Sequence, residues 1–409
     1  MKEVVHKLTY IFNARLPTEK AHGYQVGKMC EAFAENGVEV LLMHPYRQQS
    51  DALTQGTNLF EYYGLRKTFQ VRILPNCDVV RLERFFSSGI PASLFFAHAF
   101  LWALYASVEA RRRTADVYYT RDSVVAYWLL RLGLPTIYEE HVVPKRAQRW
   151  LLRRITHHPS LRLVVAVTSF IKARFISLGF SEKQVVVLPD AVDISLFSGL
   201  PSKETCRKQL GLEPNRTIIG YVGRFQTMEM EKGIPELVKA MALLPFVNGS
   251  EPLLVCLGGP MDAVPAYLKL AYGMGVPERR LKFIDRVAQV DVPYWIRAFD
   301  IAVAPFPTNE HYAYFMSPLK LFEYMAAGVP IVTSDLPSIR EVLAHGENAW
   351  LVEPGNEEAL AQGIIRVLQD AVLSTKLATN ARQAVDRFTW ERRARAILNH
   401  ARKDLVYRS

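Results

Sequence analysis

The sequence predicts an α/β protein built of two doubly wound, Rossmann-like domains, and three observations predict it. The chain has 409 residues, more than one hydrophobic core organises, since single cores stop growing near roughly 250–300 residues. Short apolar runs alternate with longer amphipathic stretches from end to end, the pattern of βα units and parallel sheets. Between two such series lies PDAVDISLFSGLPSKETCRKQLGLEPN, rich in Pro, Gly, Ser and Asp and without a long apolar run, which predicts the linker. The first domain is thus predicted over 1–195 and the second over 205–387.

The elements follow in order. In the first domain strands are predicted at Lys7 to Phe12, Val38 to Met43, Val71 to Ile73, Val117 to Thr120, Thr136 to Glu139, Leu163 to Ala166 and Val185 to Leu188. A helix over Gln25 to Asn36 ends at Gly37, the usual C-terminal glycine. In the second domain strands are predicted at Thr217 to Val222, Leu253 to Leu257, Leu281 to Phe283, Ile301 to Ala304 and Ile331 to Thr333. The opening MKEVVHKLTYIFNARLP, its apolar run broken by His6 and Lys7, reads as the first strand and not as a signal peptide.

Composition narrows the function classes. Half the residues are hydrophobic and 22% are charged, as in an ordinary globular protein. Cys30, Cys77, Cys206 and Cys256 are far apart, form no C-x-x-C pair, and read as buried thiols of a reducing, cytoplasmic compartment. The net charge of +10 lies mostly in the first 200 residues. Without a nucleic-acid-binding motif, such a surface points to a phosphorylated ligand or a membrane surface, not to nucleic acid. Ile90 to Val108 (IPASLFFAHAFLWALYASV) approaches the length of a membrane span. Its His98, serines, Pro91 and βα context favour a buried core or interdomain-facing helix.

Three segments carry candidate chemistry. In SPLKLFEYMAAGVPIVTSDLPSIREVL, Pro318 suits the first turn of a helix running to Ala327, closed by Gly328. Ser317, Leu319 and Lys320 begin it, and a helix start suits a phosphate through its unpaired N–H groups and positive dipole end. Glu323, one and a half turns in, can accept hydrogen bonds from a ribose diol, though an exposed helical glutamate is an equal reading. In GYVGRFQTMEMEKGIPELVKAM, Gly223 follows a strand and opens a loop with Arg224 and Lys232. Cations there sit where an open α/β sheet binds ligand. In LVCLGGP, Gly258 is either a tight turn or a close backbone approach to a nucleotide. G-x-G-x-x-G is absent, which disfavours NAD or FAD.

Taken together, GYVGRF…EKG, LVCLGGP, the IAVAPF strand, LKLFEYMAAGVPIVTSDLPSIREVL and the terminal FTWERRARAIL helix resemble the family-4-type retaining glycosyltransferases over nearly the whole chain. The resemblance implies a GT-B fold, two Rossmann-like domains facing a central cleft, with 388–409 a helix crossing back to the N-terminal domain. It implies a nucleotide-diphosphate-sugar donor held mainly by the C-terminal domain, with Arg224 and Lys232 on the diphosphate and Glu323 on the ribose. It also implies that His141, in YEEH, contacts the transferred sugar, and that Gly23, read in the loop after the first strand, lines the cleft. A histidine that merely closes a strand end is the other reading of His141.

This sequence departs from the family pattern in several places. The family commonly has two glutamates with seven residues between them; here the second is Glu323 and the first position is Phe315. Lys320 stands where many members have an apolar residue or proline, and Asp190-Ala191 replaces the customary Asn-Gly. Two cations and a helix N-terminus can offset diphosphate charge without a metal, and no D-x-D pair follows a strand, so neither metal nor cofactor is expected. The acceptor is a glycan, a lipid-linked sugar or a small molecule. PKRAQRWLLRRITHH, from Pro144 to His158, reads either as a helix packed on its own domain or as one resting on anionic lipid at the inner face of the membrane. A non-catalytic nucleotide-sugar-binding protein and a nucleotide-sugar epimerase are the alternative functions.

Overall fold

The computed structural model describes residues 5–48, 56–77, 92–141, 146–227, 230–247 and 249–403. Ile90 and Pro91 of the predicted 90–108 helix lie outside the described residues, as do Pro144 and Lys145, Met228 and Glu229, and residues 1–4 and 404–409. The chain divides into two compact units: unit 1 is Met1–Asp190 with Trp390–Ser409, and unit 2 is Ala191–Thr389.

Unit 1 contains a seven-stranded parallel sheet of β1 (Lys7–Ile11), β2 (Glu39–Pro45), β3 (Gln70–Leu74), β4 (Val117–Thr120), β5 (Thr136–Glu140), β6 (Leu161–Ala166) and β7 (Val185–Val187). Their spatial order is β3-β2-β1-β4-β5-β6-β7. The order reverses between β1 and β4, which pair Leu8 with Val117 through Ile11 with Thr120. That reversal marks the place where open α/β sheets bind ligands, outside the carboxyl ends of the strands.

Unit 2 repeats the plan. Its strands are β8 (Ile218–Val222), β9 (Gln226–Thr227), β10 (Met230–Glu231), β11 (Leu253–Leu257), β12 (Leu281–Ile284), β13 (Ile301–Ala304), β14 (Ile331–Ser334) and β15 (Trp350–Val352). Six form a parallel sheet, β12-β11-β8-β13-β14-β15, while β9 and β10 make a separate antiparallel ribbon. Along β11, Leu253, Val255 and Leu257 join one apolar cluster and Leu254 and Cys256 another. Both faces of the sheet are therefore covered, which is why its strands read as unbroken apolar runs.

Several expectations are corrected. Gly23 is not in a loop: it is the third residue of the helix Ala21–Glu35, and a Cβ there would lie 2.0 Å from the Tyr63 hydroxyl. Its glycine is explained by packing, because Tyr63 bridges the Thr18 backbone by donating to its carbonyl at 2.7 Å and accepting from its N–H at 2.8 Å. Pro318 is the extended residue before its helix and not in the first turn, which begins at Leu319. The helix Ala92–Arg111 is only half buried, with Leu94, Phe95, Phe96, Leu101 and Tyr105 exposed. No helix among the described residues is long and apolar enough to cross a membrane. Cys77, just past edge strand β3, is exposed, whereas the other three thiols are buried. The segment from Ala191 onward is part of unit 2: Val192 bridges Thr389, and a helix forms over Lys203–Gln209. The C-terminal helix Trp390–Lys403 belongs to unit 1.

Candidate functional site

In unit 2 the candidate residues gather past the carboxyl end of β8, at the reversal between β8 and β13. Gly223 leaves β8 at φ 120°, and a Cβ there would meet Lys320 Cε at 3.0 Å and Nζ at 3.1 Å. Gly258, after β11 at φ 134°, backs onto Gly223, whose carbonyl oxygen would lie 2.6 Å from a Gly258 Cβ. Glycine is required at both positions by the positive φ and by the approach of the two backbones. Gly258 is thereby a close backbone approach, here to Gly223 itself.

Arg224 and Lys232 flank the β9–β10 ribbon. The Lys232 N–H donates to the Phe225 carbonyl at 3.0 Å, and Arg224 Nε donates to the Gln226 carbonyl at 3.3 Å. Burial, then the neighbouring Arg224 charge, pulls the Lys232 ammonium down to about 8. Lys320 is 8% exposed, its ammonium has no hydrogen-bond partner among the described residues, and it lies 3.6 Å from the centre of the Tyr221 ring. Burial and then the charge of Lys232 hold it well below the ordinary lysine value. Lys232 thus lies within electrostatic reach of both Arg224 and Lys320, an arrangement that favours an anion beside them.

The same helix supplies the carboxyl. Leu319–Ala327 starts after Pro318, which offers no side-chain cap, and ends at Gly328 in the left-handed region at φ 64°. Leu319, partly exposed, opens it after the partly exposed Ser317. Glu323 is its fifth residue; it accepts from Gln289 Nε2 at 3.0 Å, and burial raises its carboxyl above the usual value. Tyr324 fixes the helix on the sheet by accepting from the Val222 N–H at 2.8 Å. Arg224, Lys232, Gly223, Gly258, Lys320 and Glu323 are thus brought together. Two groups escaped sequence reading. Gln289 positions Glu323, and His311, in the π-helical turn His311–Phe315, is lowered by burial and by Lys232. Phe315, at the departed glutamate position, is buried.

In unit 1, His141 stands just past β5 with an assembly of charged groups. Its Nε2 bonds Glu139, its Nδ1 lies 3.8 Å from Asp190, and its N–H donates to Glu140 at 3.0 Å. Gln25 donates to Asp190 at 2.6 Å and accepts from Arg121 at 3.0 Å. Arg393, from the C-terminal helix, is 3.2 Å from Glu139 and also donates to the Pro189 and Leu188 carbonyls at 2.8 and 3.2 Å. Burial, then Arg121, lowers the His141 imidazole, while burial raises Asp190. His22, on the helix that bears Gly23, is driven down to about 4 by burial and Arg121. Sequence reading missed Arg121, Gln25 and Arg393; no local spacing marks them, because Arg121 bonds Gln25 96 positions away and Arg393 bonds Glu139 254 positions away.

Two family models match the chain in succession: Glycosyltransferase Family 4 over residues 23–196 and Glycosyl transferases group 1 over residues 216–370. A D-inositol 3-phosphate glycosyltransferase of Xylanimonas cellulosilytica is 32% identical over 226 residues, 53% of this chain and 50% of that protein. The chain spans about half the length of such curated relatives. Among solved structures, Anabaena HepE in complex with UDP and glucose is similar at TM-score 0.70 and 19% identity, covering 95% of this chain and 98% of that one. The sucrose-phosphate synthase of Thermosynechococcus elongatus is similar at TM-score 0.73 and 19% identity, covering 98% and 100%. Both share the fold of two Rossmann-like domains.

Proposed function

We propose that this chain, which belongs to the group 1 and family 4 glycosyltransferases, moves a hexose-type sugar from a nucleoside-diphosphate sugar to an acceptor hydroxyl, with retention at the anomeric carbon. The observation that carries this reading is the gathering of Arg224, Lys232 and Lys320 beside the uncapped start of the Leu319–Ala327 helix. As the glycosidic C–O bond breaks, negative charge builds on the departing diphosphate. Fixed cations and a helix N-terminus stabilise that charge more than they stabilise the bound donor. The reading therefore needs no metal or cofactor. Glu323, held by Gln289, is assigned the ribose hydroxyls.

His141 is assigned contact with the transferred sugar, supported by its place just past β5 and its fixed hydrogen bond to Glu139. In this scheme the acceptor oxygen bonds the anomeric carbon on the face the diphosphate leaves, and its proton passes to the departing phosphate oxygen. That HepE binds UDP and glucose supports a uridine donor as the first to try.

The test is nucleotide release from a panel of nucleoside-diphosphate sugars. The wild type is expected to release nucleotide from at least one, and Lys232→Ala to cut the rate by about 10²-fold or more. A second reading, a non-catalytic binder, is favoured by Phe315 at the departed glutamate position. Binding of a donor with no release under any acceptor would establish it instead.

A further inference from the structure

The two ring nitrogens of His141 have unlike surroundings. Nε2 bonds the Glu139 carboxyl directly. Nδ1 lies 3.8 Å from Asp190, beyond hydrogen-bond distance, and forms no hydrogen bond among the described residues. The side chain keeps 16% of its surface exposed, so a ligand can still reach the ring. Which nitrogen carries the proton decides whether the open side of that ring offers a donor or an acceptor.

Two buried carboxyls compete for that proton, and their settings decide between them. Glu139 is surrounded by donors: Arg393 Nη1 donates to its Oε2 at 3.2 Å, the Tyr119 hydroxyl donates to the same oxygen, and Arg121 Nε lies 3.9 Å from its Oε1. Arg393 is itself fixed by the Leu188 and Pro189 carbonyls. Burial opposes a charge on Glu139, but Arg393, then His141 and Arg121, override it and hold the carboxyl well below the usual range. Asp190 is the weaker competitor. It is the farther of the two from the ring, it already accepts from Gln25 at 2.6 Å, and burial raises its carboxyl. Burial, then Arg121, disfavours a second proton on the imidazole, so a single proton facing the nearer, charged carboxylate is the arrangement of lowest energy.

We propose that Glu139 is a positioning residue that fixes His141 in the Nε2–H form and leaves Nδ1 as a hydrogen-bond acceptor for a hydroxyl of the transferred sugar. The proposal rests on the reading of His141 as the sugar contact and deepens it. The sugar atom that meets this ring is then an O–H group, because a carbonyl or carboxylate oxygen at that place would face a lone pair.

The test is long-range proton–nitrogen NMR spectroscopy of the full chain carrying isotope-labelled histidine, without donor, the His141 signals being those lost in His141→Asn. Expected in the wild type is a proton on Nε2 and a bare Nδ1. In Glu139→Gln, Arg393 keeps the amide oxygen and the amide N–H group faces Nε2, so the proton is expected to move to Nδ1. That variant is also expected to lower kcat/KM for a sugar donor by about 10- to 100-fold, the cost of a donor where an acceptor is needed. Its affinity for the bare nucleoside diphosphate, which has no sugar to contact, is expected to stay unchanged. A proton on Nδ1 or on both nitrogens of the wild type overturns the proposal, and that result stands even where Glu139→Gln does not fold. Nε2 still protonated in Glu139→Gln overturns it, as does an equal loss of kcat/KM and of nucleoside-diphosphate affinity, which would make Glu139 structural. An Nε2–H ring in a chain that releases nucleotide from no donor would sink the transfer reading alone.

Discussion

The Lys320 ammonium sits 3.6 Å from the centre of the Tyr221 ring, and the hydroxyl of that ring donates to the Arg224 carbonyl at 2.8 Å. One tyrosine thus holds a buried cation with its face and the neighbouring cationic loop with its edge. The ring quadrupole offsets part of the cost of burying the charge, but the ammonium still lacks a hydrogen-bond acceptor among the described residues. Lys320→Met, of similar volume, is expected to stabilise the free protein, raising the melting midpoint of unit 2 by about 2–4 °C per kcal/mol recovered. It is also expected to weaken nucleoside-diphosphate binding. A lowered midpoint with unchanged affinity for UDP would make Lys320 a structural residue.

Lys232 makes binding depend on pH. Its folded value of about 8 is below the ordinary 10.5, so the folded protein releases this proton before the unfolded chain does. Its contribution to stability accordingly improves as pH rises from about 8 toward 10.5. A bound diphosphate favours the ammonium, so affinity is expected to fall as pH rises through about 8. Calorimetry with UDP in two buffers of different ionisation enthalpy is expected to show proton uptake near that pH. No uptake, or uptake that persists in Lys232→Met, would contradict the assignment.

Glu323 is expected to distinguish ribose from deoxyribose. Glu323→Gln is expected to weaken UDP binding by about 10- to 100-fold, the worth of a hydrogen bond to a charged group, and to weaken 2′-deoxy-UDP, which keeps only the 3′-hydroxyl, by less. Equal losses for both nucleotides would remove Glu323 from the ribose.

Arg393 is expected to hold unit 1 together. Burial alone would raise the Glu139 carboxyl, but Arg393, then His141 and Arg121, hold it well below 4.5. Stability from this group is therefore fully present above 4.5 and lost as pH falls through the lower folded value. Arg393→Met strands a buried carboxylate and is expected to cost unit 1 about 3–5 kcal/mol in urea unfolding. Its acid unfolding is expected to begin at higher pH. Adding Glu139→Gln should restore part of the loss; no restoration would mean that packing and not charge is what Arg393 supplies.

The two-unit plan and most strands were legible because parallel strands buried on both faces leave continuous apolar runs. The exceptions were β9, β10 and β15, two or three residues each, too short to show a period. In the candidate site of unit 2, Gly223, Arg224, Lys232 and Glu323 lie in two compact motifs and could be read locally. Gly23 was misplaced because its helix starts after Lys20, which makes no side-chain cap. Arg393 looked like one more arginine on an amphipathic helix, since its carboxylate partner is 254 positions away. The helix Ala92–Arg111 read as buried because its apolar residues go nearly all the way round, and sequence alone does not say which side meets protein.

Unit 1 is closed by residues that lie beyond unit 2 in the chain. During synthesis the ribosome releases residues in order, so Glu139 must wait for Arg393 until about 250 further residues have been added. Unit 2 is contiguous and becomes complete first. The N-terminal half is therefore the last to mature, and loss of the final helix would leave behind an intact second unit beside a first that lacks its buried counter-ion.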